Sequence, residues 1–304
     1  MVEYGTIRPM TRVFPLLVLA AFASCCPAQT PAMPASKKVL PALPDTIALH
    51  EKVECSKVGD IVIPLDIYVP KAPGKYPAIL LIHGGGWKAR QVDADKPLAE
   101  RLAGRGYVVA QVAYRLSTTA KYPAALHDCK AALRFLRARA GDYQIDPQRI
   151  GVAGGSAGGL LSGMMGMTGG MRSLEGTGGN PDESTGVKAC VVMAATMDLM
   201  ASTTMQKNAS VAQYLGPFAE NRAVYEEASP ITHVKAGCPP TLFLEGELDT
   251  EKIGRPEMQA RLRTLGIPTE AITLKGAPHP FWMSQPWLDE SARAMGDWFD
   301  RYVK

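Results

Sequence analysis

The chain reads as an α/β protein with a mostly parallel central sheet flanked by helices on both faces. Three observations predict it. Strand-like stretches recur at residues 78–82, 107–113, 187–194, 241–244 and 269–274, and the continuous apolar run 78–82 has the composition of a strand buried on both sides. Between most of them lie segments whose apolar residues recur at helical spacing, long enough to serve as the crossovers that parallel neighbours require. Ahead of this alternation, the β-like stretches 48–56 and 61–69 flank the turn-prone Lys57-Val58-Gly59-Asp60, which suits an antiparallel pair at one sheet edge.

Taken in order, the run 78–82 ends in glycines and belongs at the centre of the sheet. Helical spacing over 94–103 stops at Gly104 and Gly106, the strand 107–113 follows, and an amphipathic helix over 123–140 is closed by Gly141. A strand at 149–153 leads into a helix that begins near Ser156. The strands 187–194 and 241–244, a helix over 255–265, the strand 269–274 and a terminal helix over 287–302 complete one domain from residue 47 to residue 304. Two stretches break the pattern. Residues 169–185, rich in Gly, Ser and Thr and without periodicity, read as a flexible surface loop near the site. Residues 197–230 are irregular, with short helical segments suited to a small or minimal cap over a pocket.

At 304 residues, with 46% hydrophobic and 20% charged residues and a net charge of +4, the chain has a globular composition. It lacks the basic runs with interleaved aromatics that a nucleic-acid groove needs, so nucleic acid is excluded as a partner. Arg8 and Arg12 precede an apolar run over 13–23 that is too short to span a bilayer comfortably, the pattern of a secretory signal over residues 1–28. Pro31 and Pro34 then mark residues 29–46 as a tether. Cleavage after Ala28 predicts a secreted or periplasmic protein. The alternative is set by Ala23-Ser24-Cys25, which resembles a lipoprotein box, so membrane association is expected only if Cys25 is lipidated. Beyond the signal, Cys55, Cys129, Cys190 and Cys238 have no zinc-like spacing. Cys129 and Cys190 read as small buried hydrophobes, and disulfide pairing stays open.

The chemistry gathers around Gly154-Gly155-Ser156-Ala157-Gly158, which lies between an expected strand and an expected helix, the context of a nucleophile elbow. Its small residues allow a strained turn that projects the Ser156 hydroxyl. Directly after the central strand comes His83-Gly84-Gly85-Gly86-Trp87, where three glycines let backbone N–H groups approach a developing oxyanion. Gly85, Gly86 and Ala157 are the expected donors, and His83 is expected to hold the loop. An acid and then a base should follow, each just past a strand end. His279 is the only histidine so placed. Asp249 leads for the acid, with Asp198 as runner-up and Glu245 and Glu247 as weaker candidates.

With Tyr114-Arg115-Leu116, the stretch Tyr122-Pro123-Ala124-Ala125-Leu126-His127-Asp128 and the stretch Ile145-Asp146-Pro147-Gln148-Arg149-Ile150, these motifs resemble the hormone-sensitive-lipase-like and bacterial feruloyl or acetylxylan esterase branch of the α/β-hydrolase superfamily. The resemblance spans residues 68–281. It implies an α/β-hydrolase fold and a serine carboxylic-ester hydrolase with Ser156, Asp249 and His279 as triad and no metal or organic cofactor. One departure is Glu245-Gly246-Glu247-Leu248-Asp249, where that branch has His-Gly before the acid. The absence of a long apolar lid favours a short acyl group, acetyl or else feruloyl. Export and the rings of Trp87 and Trp282 favour a small-molecule or polysaccharide ester, with both tryptophans as substrate contacts. Packing of the same rings in the core is the competing reading. A prolyl-oligopeptidase-like peptidase usually carries a propeller domain that this length cannot hold, and a noncatalytic module would have lost the serine, the base or the glycines.

Overall fold

The computed structural model describes residues 43–250 and 252–304, together with residues 1, 3 and 5. The expected export signal, Cys25 and the tether as far as residue 42 lie outside the described residues. Within the unit Leu40–Lys304, eight strands form one sheet. They are β1 (Ile47–Val58), β2 (Ile61–Pro70), β3 (Tyr76–Ile82), β4 (Val108–Val112), β5 (Ile145–Gly155), β6 (Cys190–Met193), β7 (Thr241–Gly246) and β8 (Thr269–Leu274). Their order across the sheet is β1-β2-β4-β3-β5-β6-β7-β8. The β1–β2 hairpin is antiparallel and joins β4 antiparallel, and from β4 to β8 every neighbour is parallel. The central position of residues 78–82 follows from this order.

Both faces of β3 are covered, and its residues alternate between the two. Ala78, Leu80 and Ile82 belong to one apolar cluster, and Ile79 and Leu81 to another. On the first side lie α2 (Ala124–Ala138), α3 (Ala157–Met167) and α7 (Arg255–Thr264). On the second lie α1 (Val92–Gly104) and α8 (Trp287–Tyr302). With about 0.8 kcal/mol gained per buried methylene, this two-sided burial is why the inner strands β3, β4 and β6 are almost wholly apolar. Residues 197–230 hold three short helices, α4 (Thr203–Lys207), α5 (Ala209–Leu215) and α6 (Arg222–Glu227). Ser202 and Asn208 start the first two by accepting bonds from backbone N–H groups one turn on. No helix among the described residues is long and apolar enough to cross a membrane.

The stretch 169–185 corrects an expectation. It follows α3, which runs back from the C-terminal ends of the strands, so it starts at their N-terminal ends, away from Ser156. There it is held by cations of α2. Lys130, fully buried, donates to the Thr168 carbonyl at 2.7 Å and to Glu175 at 2.9 Å. Arg134 donates to Glu175 at 3.1 Å and to the carbonyls of Gly178 and Gly179, and Arg137 to those of Ser184 and Gly186. Side chains far away in sequence supply the order that the local composition lacks.

Candidate active site

β5 runs into α3 through Ser156, whose backbone has φ 56° and ψ −122°, a region costly for any residue with a side chain. The turn is held by the Ser156 N–H donating to the Met193 carbonyl of β6 at 2.9 Å. Small neighbours are obligatory. A Cβ on Gly158 would lie 2.0 Å from the Ile82 carbonyl oxygen, and one on Gly155 would lie 2.2 Å from the ring of Trp282. The elbow is therefore clamped between the central strand on one side and an indole on the other.

Past β7 and β8, two loops are stitched together. Glu247 and Leu248 donate their N–H groups to Leu274 and Ala277, and the Glu247 carboxylate accepts from the Gly276 N–H at 2.7 Å. This places Asp249 Oδ2 2.8 Å from His279 Nδ1, and His279 Nε2 3.1 Å from Ser156 Oγ. Because an ionised carboxylate only accepts, Nδ1 carries the ring proton, and Nε2 is left to accept from the serine hydroxyl. Asp249 is buried, and about a third of the His279 side chain is exposed. The other acid candidates are engaged elsewhere. Asp198 accepts from the Met200 and Ala201 N–H groups in a local turn. Glu245 pairs with Arg255 at 2.8 Å and 3.1 Å.

The glycine loop approaches from β3. Gly86 and Ala157 line the cavity beside Ser156, and neither N–H has a backbone acceptor among the described residues. Gly85, at φ 99°, opens a turn in which its carbonyl accepts from Lys88 and Ala89, and its N–H likewise has no backbone acceptor among the described residues. His83 holds the loop as expected, its Nδ1–H donating to the Gly84 carbonyl at 2.7 Å and its ring stacked on Tyr114 at 4.3 Å. Burial pushes the His83 imidazole down to about 4, so it is neutral at neutral pH.

The two tryptophans part company. Trp87 lines the cavity and stacks on Tyr214 of α5 at 4.7 Å. Trp282 is 1% exposed and is not among the residues lining the cavity, which removes it as a substrate contact there. Its indole N–H donates to the buried Asp95 carboxylate of α1 at 3.0 Å, and its ring stands edge-on to His279 at 5.6 Å. It links α1, the elbow and the His279 loop from below. Sequence reading missed Asp95. It also missed Leu160, Thr196, Met205, Ser210 and Val211, which line the cavity with Trp87. Thr196 had a signal, since it follows a parallel strand at the end where such sheets bind ligands. The residues of α4 and α5 had none. Among the described residues no group of three or more His, Cys, Asp or Glu side chains is placed to hold a metal ion.

The model of the BD-FAE family matches residues 65–253. Carboxylesterase NlhH of Mycobacterium tuberculosis (strain CDC 1551 / Oshkosh) is 40% identical over 105 residues, 34% of this chain and 33% of that protein. Esterase LipQ of Mycobacterium tuberculosis (strain ATCC 25618 / H37Rv) is 28% identical over 228 residues, 69% of this chain and 52% of that protein. Alignment thus spans only a third to about half the length of these curated relatives. Among solved structures, a truncated form of carbohydrate esterase from gut microbiota matches with a TM-score of 0.73 at 25% identity, over 85% of this chain and 97% of that one.

Proposed function

The chain belongs to the BD-FAE family of α/β-hydrolases, and from that premise and the geometry of its site we propose that it is a serine esterase hydrolysing short-chain carboxylic esters through an acyl-serine intermediate. The single observation that carries the reading is the unbroken line from Asp249 Oδ2 through His279 to Ser156 Oγ, with both links within 3.1 Å. In this reading Ser156 attacks the ester carbonyl while His279 Nε2 takes its proton, and Asp249 stabilises the imidazolium that forms. The N–H groups of Gly85, Gly86 and Ala157 are the donors for the developing oxyanion. His279 then protonates the departing alcohol, and water attacking the acyl-enzyme returns the site to its starting state.

The finer reading is an acetyl, or else feruloyl, group on a carbohydrate, handled outside the cytoplasm. It is supported by the likeness to a carbohydrate esterase, by the modest cavity beside Ser156 and by the Arg8, Arg12 and apolar pattern of the N-terminus. The test is Ser156→Ala assayed on nitrophenyl acetate and on acetylated xylan. Turnover should fall by roughly 10⁴-fold or more with the fold intact. Retained hydrolysis would reject the reading, and activity on the nitrophenyl ester alone would reject only the carbohydrate part.

A further inference from the structure

The cavity beside Ser156 is not lined by His279. In ester hydrolysis the leaving alcohol takes its proton from the base, so it lies on the His279 side. The cavity on the other side of Ser156 then receives the acyl group. Most of its wall is apolar, from Trp87, Leu160, Met205 and Val211. Two buried polar atoms of lining residues are unpartnered among the described residues, the Trp87 indole Nε1 and a threonine hydroxyl. Thr196, 3% exposed, lines this cavity, and its Oγ1 has no hydrogen-bond partner among the described residues. Other buried hydroxyls, those of Ser162 and Tyr214 among them, are also unpartnered among the described residues, but their residues do not line the cavity beside Ser156, whereas Thr196 does, so a ligand there can offset the desolvation of its hydroxyl.

The backbone is built to hold Thr196 there. At the end of β6 the chain turns through Ala194 at φ 47°, a left-handed conformation that disfavours any Cβ and persists only where surrounding structure imposes it. Immediately afterwards, the Met197 N–H donates to the Ile253 carbonyl at 2.7 Å and its carbonyl accepts from Ile231 at 3.2 Å. Strain on one side and two backbone bonds on the other fix the residue between them. A threonine hydroxyl both donates and accepts, so it can meet a second hydroxyl in either sense.

We propose that Thr196 determines acyl specificity by receiving an oxygen carried on the acyl chain, so that esters of short hydroxy acids are preferred over plain acyl esters of the same length. The inference rests on the ester-hydrolase reading above and deepens it. Acetyl esters enter the same cavity without this contact.

The experiment measures kcat/KM for ethyl 2-hydroxypropionate and ethyl propionate with the wild type, Thr196→Val and Thr196→Ser. The two esters share a leaving group, and comparing their ratio between proteins cancels the greater intrinsic reactivity of the hydroxy ester. The ratio should be about tenfold higher in the wild type than in Thr196→Val, the worth of one hydrogen bond in the transition state, and Thr196→Ser should keep most of it. If the valine variant does not fold, Thr196→Ala removes the same hydroxyl with less bulk. An equal ratio in the wild type and the hydroxyl-free variant overturns the proposal. Ser156→Ala run beside them separates the two failures. If it is inactive while the ratio is unchanged, only the specificity inference falls, whereas hydrolysis by Ser156→Ala removes the ester-hydrolase reading itself.

Discussion

Gly155 and Trp282 contend for one volume, and that contest shapes the elbow. A methyl group on Gly155 meets indole carbons at 2.2 Å, 2.5 Å and 2.7 Å, so Gly155→Ala must displace a ring packed against His279. Overpacking of this kind costs about 1–3 kcal/mol, and kcat should fall with stability, both measurable by urea titration and steady-state kinetics. Trp282→Phe keeps most of the packing but removes the donor to Asp95. It should lose about 1–3 kcal/mol in the same titration. His83 makes a prediction in pH. Its imidazole titrates at about 4 in the fold against 6.5 as the ordinary value. As pH falls from about 6.5 to about 4, the unfolded chain takes up a proton that the folded chain refuses. Stability from this residue is therefore complete above that window and is lost on acidification, by an amount on the order of 3 kcal/mol. In His83→Asn this contribution to the slope of stability against pH should vanish between those limits.

Among the elements, α2 does more than cover the sheet. Its buried Lys130 and Arg134 share one carboxylate, Glu175, at the opposite end of the strands from Ser156. Burial pulls the Lys130 amine below its ordinary range while Glu175 pulls it back up. Removing that anion leaves two desolvated cations, so Glu175→Gln should destabilise the protein by about 3 kcal/mol. Because the loop is remote from the cavity, kcat/KM should stay within about twofold of the wild type while the folded state persists. A large fall in kcat/KM without unfolding would contradict the placement. The small helices α4 and α5 have the opposite character. They bring Met205 and Val211 onto the cavity wall, so changes there should alter acyl preference more than stability.

At the scale of the whole molecule, the layer of α1 and α8 is tied together and to the sheet across long stretches of chain. Arg105, just past α1, reaches Asp297 and Asp300 of α8, and Phe299 of α8 occupies the space a side chain at Gly151 of β5 would need. Deep in this assembly lie Cys55, Cys129, Cys190 and Cys238, all buried and free. Burial raises every one of these thiols, Cys55 to about 12, so none is a thiolate at neutral pH. Iodoacetamide labelling read by mass spectrometry should leave all four unmodified in the native protein and modify them together across the unfolding transition. Early labelling of Cys190 alone would show that the sheet opens locally at β6.

Much of the fold was legible because its signals are local. The strand at 269–274 and the helix at 287–302 have the bounds read from their apolar spacing, and β3 is central because an unbroken apolar run has to be buried on both faces. Ser156, Asp249 and His279 were legible because turns at strand ends carry their own signature of small residues and position. β5 began earlier than expected, at Ile145, because Ile145 pairs with Tyr76 of β3 ahead of a register shift, while residues 146–149 between it and the apolar run carry no strand-like spacing. What the linear chain determined was the alternation, the turns and the identity of the reactive groups, since each depends on neighbours a few residues apart. What tertiary structure alone decided was which tryptophan faces the cavity, where residues 169–185 lie, and that Thr196 is a wall of the cavity. These depend on contacts between segments separated by tens to hundreds of residues, and no spacing along the chain encodes them.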